Sequence, residues 1–191
     1  LETQQFDKAE EWLFLGQDLV VNDIGLKAEF VHQKGRLESK KGNYEKALDL
    51  YNEARKIDPQ NGNVYLSITE TLLQLGNSEE AMKLVNNALT EAPTNAYLMY
   101  AKAKIFFHDK KYERTINQIE NALIYNVDPQ FHELKGDAHF QQGEKDKALE
   151  EWKKAKETGR DTQLLNKNIR RKILMILMRL TMIMLLSLLT T

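Results

Sequence analysis

Apolar side chains recur three or four residues apart along most of this chain, in blocks broken by short polar turns. Tyr44, Ala47, Leu48, Tyr51, Ala54 and Ile57 share one helical face in this way. Gly42 ends the preceding helix, because glycine tolerates the left-handed turn that follows a helix. Asn43 is placed to cap the new helix by accepting from its free amides. Pro59 stops it and disfavours helical geometry at Asp58. The same spacing predicts helices over 26–40, 63–75, 78–91, 95–109, 112–126, 130–142 and 145–157. A longer connection, Val20 to Gly25, separates 26–40 from an apolar pattern nearer the start.

The pattern is periodic on a larger scale. Gly42 returns at Gly76 (76 − 42 = 34), Ala47 at Ala81 (81 − 47 = 34) and Pro59 at Pro93 (93 − 59 = 34). Thr115 takes the alanine slot after another 34 residues and Ala148 after 33. A fixed period of this length, with room for two helices, marks a stacked repeat array.

Gly35, Gly42, Tyr44, Ala47, Tyr51, Ala54 and Pro59 form one phased set, and Tyr65, Leu72, Gly76, Ala81, Ala88 and Pro93 the next. Phe106, Tyr112 and Ala122 form a weaker one, in which Lys110 and Thr115 replace the usual Gly and Ala. Gly136, Gly143, Ala148, Trp152 and Ala155 complete the series. Together these residues make the chain resemble the tetratricopeptide repeats over roughly residues 5 to 160. The resemblance implies an all-α fold, an α-solenoid of stacked antiparallel helix pairs wound into a right-handed superhelix. It divides the chain into a half repeat with its connecting loop (1–25) and four repeats (26–61, 62–95, a degenerate 96–128, and 129–160). A capping helix running into an apolar tail (161–191) follows.

In such arrays the first helix of each repeat lines a concave groove, as the resemblance implies. The groove positions here include His32, Arg36 and Lys40, then Glu70, then Tyr97, Tyr100, Lys104, Phe107 and His108, then Asp137. The third repeat is expected to present an aromatic patch carrying one firm positive charge, since aromatic side chains dominate binding hot spots. A competing reading packs some of these rings within the array, Phe107 foremost. One subfamily grips the carboxylate tail of chaperones with a lysine-asparagine clamp. Glu70 occupies one of its asparagine positions and would repel a carboxylate, so that partner is disfavoured.

Composition narrows the function further. Basic and acidic residues number 27 and 28, a net charge of −1, which gives no support for a nucleic-acid partner. Cysteine is absent, so disulfides, thiol nucleophiles and zinc-thiolate sites are excluded. No glycine-rich phosphate loop is present. His132 and His139 stand seven apart with Asp137 between them, whereas a helical metal site favours a spacing of four and a third ligand; packing slots explain both better. Glu79-Glu80 and Glu150-Glu151 lie near helix starts, where the helix dipole favours them. No cofactor is expected. The leading reading is a non-enzymatic scaffold that holds a peptide or protein partner in its groove. The enzyme or metal-binding reading has nothing positive behind it.

Residues 173–189 are apolar around the whole helical circumference, broken by Arg179, and they hold four of the six methionines. Three readings stand: a greasy cap over the last repeat, a shifted reading frame, or a marginal membrane anchor with Arg170, Arg171 and Lys172 on the cytoplasmic side. The third makes the alternative function a membrane-tethered adaptor. A soluble chain, cytoplasmic or bacterial periplasmic, is the first expectation for localisation. Because the sequence starts at Leu1 inside a helix pattern, upstream residues are expected to be missing, with Phe6, Trp12 or Phe14 exposed at that end.

Overall fold

The computed structural model describes residues 24–159. The expectations for the half repeat around Phe6, Trp12 and Phe14, and for the tail 173–189, lie outside the described residues. Within them the chain folds as α1 (Ile24–Lys40), α2 (Tyr44–Ile57), α3 (Gly62–Gln74), α4 (Ser78–Glu91), α5 (Ala96–His108), α6 (Tyr112–Tyr125) and α7 (Pro129–Gln141). Residues 145–159 form α8. No strand occurs among the described residues. No helix among them is long and apolar enough to cross a membrane.

Each helix end has a local cause. The amides of Asn43, Asn77, Lys111 and Glu144 donate to the carbonyls of Glu38, Leu72, Phe106 and His139 at 2.8–3.0 Å. This is the six-residue closure that ends a helix through a left-handed residue. Gly42, Gly76 and Gly143 supply that residue with φ of 78–82°, and Lys110 supplies it in the third repeat with φ 60°. Helices α3, α5 and α7 start under side-chain caps. Asn61 accepts from the amide of Asn63, Asn95 from those of Tyr97 and Leu98, and Asp128 from that of Gln130. The expected cap by Asn43 is different in kind. Its side chain does not cap α2 but donates to Glu38 Oε2 at 2.9 Å, because the preceding turn folds it back onto α1.

The stack is an α-solenoid. From α1 to α7 every helix packs on the next, and α3 and α5, with α1 and α7 more lightly, also touch across the array, whereas among these seven helices α2, α4 and α6 touch only their sequence neighbours. The odd-numbered helices therefore form the inner, concave layer. Small residues permit this closeness: Ala47, Ala81 and Ala148 are fully buried between paired helices. Thr115 fills the same slot in the third repeat, with its hydroxyl donating to the carbonyl of Lys111 at 3.2 Å, so the polar substitute is satisfied. A Cβ on Gly35 would lie 2.5 Å from Tyr51, and one on Gly136 would lie 2.5 Å from Trp152. The two glycines hold equivalent places, since 136 − 35 and 152 − 51 both equal 101.

Candidate functional site

A period of about 34 residues on stacked helices sets equivalent side chains side by side on the concave face. Arg36, Glu70, Lys104 and Asp137 form one such row and alternate in charge. Lys104 on α5 forms an ion pair with Glu70 on α3 and lies 5.7 Å above the ring of Tyr100. Arg36 donates to Gln33 within α1, and Asp137 accepts from the indole of Trp152 at 3.0 Å. The row is thus partly self-satisfied and leaves its functional surface to either side.

On one side lies a cleft of about 790 Å³ between the C-terminal halves of α1, α3 and α5. Lys40, Glu70, Lys104, Phe107 and His108, all expected at the groove, do line it, together with Leu73. Tyr44, Tyr112 and Lys110 line it too, and the groove positions of the first helices do not include them. They come from the turn after α5 and from the first residues of α2 and α6. The available signal was the tyrosine at the start of α2 and of α6 and the lysine standing for glycine at 110. On the other side, a smaller and more polar hollow gathers Glu29, His32, Arg36, Leu66 and, from α7, Gln130.

The expected aromatic patch of the third repeat is divided. Tyr100 is only 5% exposed and stacks on Phe131, with ring centroids 4.8 Å apart. Burial, reinforced by the charge of Glu70 and other carboxylates, pushes its phenol well above the ordinary range. Tyr97 packs edge-on against the same Phe131, and its hydroxyl donates to Asp128 at 2.9 Å. Tyr100 is therefore a structural filler between α5 and α7, which corrects it as a groove contact, whereas Tyr97 stays half-buried. Phe107, expected to be the most packed, instead keeps a face on the cleft and meets Tyr112 edge-on at 5.5 Å. His32 is likewise a floor residue, 4% exposed, with Nε2 2.8 Å from Ser67 Oγ. Burial lowers its pKa, opposed by Glu29 and aided by Arg36.

The histidines of α7 have partners of their own. His132 Nδ1 is 2.7 Å from Glu151 Oε2, and His139 Nδ1 is 2.6 Å from Glu144 Oε2. Burial would raise the pKa of Glu151, but the hydrogen bonds from His132 and Lys154 and the charge of Lys135 hold it below the ordinary range. These pairs tie α7 to α8 and to the turn before it. No group of three or more His, Asp or Glu side chains among the described residues is arranged to hold a metal ion.

Known proteins resemble the chain over the same span. A tetratricopeptide repeat family profile matches residues 40–105, and the profile of anaphase-promoting complex, cyclosome, subunit 3 matches 77–155. The TPR repeat-containing protein YsoA of Bacillus subtilis is 29% identical over 69% of this chain and 41% of its own. The human protein O-mannosyl-transferase TMTC1 is 28% identical over 77% of this chain but 17% of its own. Among solved structures, a thermophilic TPR protein of Thermus thermophilus superposes with a TM-score of 0.67 at 17% identity, covering 91% of this chain and 94% of that one. The chain spans between 17% and 41% of the length of the curated relatives it matches.

Proposed function

The chain belongs to the tetratricopeptide repeat proteins, and from that premise we propose that it is a non-enzymatic scaffold whose concave cleft between α1, α3 and α5 holds a peptide segment of a protein partner. The observation that carries this reading is the composition of the cleft. Leu73, Phe107, Tyr44 and Tyr112 offer apolar and aromatic contact on an open concave surface, beside cationic side chains. Rigid aromatic side chains supply large contact area at low entropy cost, and helix-borne walls hold them in place before a partner arrives.

A pull-down from the source cell tests it, comparing the chain with the variant Leu73→Arg plus Phe107→Ala. Both residues are only partly buried, so the fold is expected to survive, which circular dichroism checks. A partner held by the parent and lost by the variant supports the cleft. A partner held equally by both removes it from the cleft.

A further inference from the structure

The cleft carries an excess of positive charge that its own structure leaves uncompensated. Lys40, Lys104 and Lys110 line it against a single carboxylate, Glu70. Lys104 already engages Glu70, and His108 faces Asp109. Lys40 and Lys110 have no acidic partner among the described residues. The neighbouring hollow is balanced, with Arg36 beside Glu29 and Glu70. The excess is thus local to the wall that also bears Leu73 and Phe107.

Lys110 adds a second, independent sign. It holds a left-handed backbone at φ 60°, where the equivalent positions of the other repeats are Gly42, Gly76 and Gly143. A side chain in that conformation is sterically disfavoured, and such strain collects where a side chain is used. Here the strained residue brings one of the cleft's two unpaired ammonium groups.

We propose that the cleft selects an acidic peptide segment of its partner, with side-chain carboxylates meeting Lys40 and Lys110 and an apolar residue lying against Leu73 and Phe107. The inference rests on the groove reading above and adds the chemistry of the ligand. Complementary charge sets partner choice and association rate, while the apolar anchor supplies contact. The apolar wall and the chain's net charge of −1 favour a peptide over a nucleic acid, which needs an extended basic face.

The probe is an end-capped fluorescent peptide of alternating glutamates and alanines with one central phenylalanine, titrated against the full chain by anisotropy. A second peptide replaces every glutamate with lysine, and a single-stranded oligonucleotide serves as competitor. The acidic probe is expected to bind, and to weaken as salt is raised. Lys40→Glu is expected to weaken it about tenfold, since a favourable charge becomes a repulsive one. Lys110→Gly is expected to raise the melting temperature while weakening the probe about threefold, a pair of opposite effects that a merely structural lysine would not give. Failure of the acidic probe to bind more tightly than its lysine counterpart overturns the proposal, as does binding unchanged in both variants. Displacement by the oligonucleotide at equal concentration overturns the peptide assignment. If the probe fails while Leu73→Arg plus Phe107→Ala still abolishes partner capture, only the acidic chemistry falls; if capture also survives that variant, the cleft falls with it.

Discussion

Tyr100 stacks on Phe131 across the α5–α7 boundary, with ring planes 30° from parallel and centroids 4.8 Å apart. Phe131 is fully buried, and Tyr100 is nearly so. The pair joins the third repeat to the fourth, and it has no room for a ligand. Tyr100→Ala is therefore expected to destabilise the fold by about 3 kcal/mol, the loss typical of truncating a buried aromatic. Urea unfolding followed by circular dichroism measures this. A variant as stable as the parent would return Tyr100 to the groove surface.

The helix ends were legible in the sequence where glycine and proline punctuate them: Gly42 and Gly76 close their helices and Pro59 stops α2, whereas the caps at Asn61 and Asn95 emerge only in the structure. The groove rows were legible because a period of 34 residues superposes Glu70 on Lys104. What the period cannot carry is the exposure of a side chain at a given groove position. Tyr100 is buried because its neighbour in the next repeat is Phe131, a large ring that fills the space between helices. Tyr44, Tyr112 and Lys110 reach the cleft from second helices and a turn, where a rule about first helices does not look. Asn43 bonds Glu38 rather than its own helix, a choice set by a side chain five residues earlier.

The two glycines at equivalent places make a matched test. Each faces an aromatic ring of the paired helix, Tyr51 for Gly35 and Trp152 for Gly136, with no space for a methyl group. Gly35→Ala and Gly136→Ala each gain helix propensity but overpack the contact, and the second effect prevails at about 1–3 kcal/mol. Thermal melts of the two variants should both shift downward. An upward shift in either would show that its aromatic ring moves aside freely.

His32 gives stability a pH dependence of definite sign. Burial holds its pKa below the ordinary value of 6.5, so the unfolded chain binds the proton more tightly than the folded one. The contribution is intact above that value and is lost as pH falls from it toward the lowered folded value. His32→Gln removes the titration, so its urea midpoint should fall less than the parent's between about pH 7 and pH 5. Equal falls in both proteins would place the acid-sensitive group elsewhere.

Glu70 and Lys104 meet across adjacent repeats with both side chains partly open to solvent. Such a pair gains little in water, because solvent screens the attraction and two long side chains must be held in one geometry. A double-mutant cycle through Glu70→Gln and Lys104→Gln is expected to return a coupling of about 0.5 kcal/mol, shrinking as salt rises. The pair matters more for what it withholds. With Glu70 neutralised by Lys104, the cleft keeps the charge of Lys40 and Lys110 for a ligand. Glu70→Gln should therefore tighten binding of the acidic probe peptide, by freeing Lys104, even as it slightly weakens the fold. Lys104→Gln should loosen it by leaving Glu70 unpaired. The same titration by anisotropy reads both. Equal affinities in the two variants would show that the central charge row plays no part in choosing the ligand.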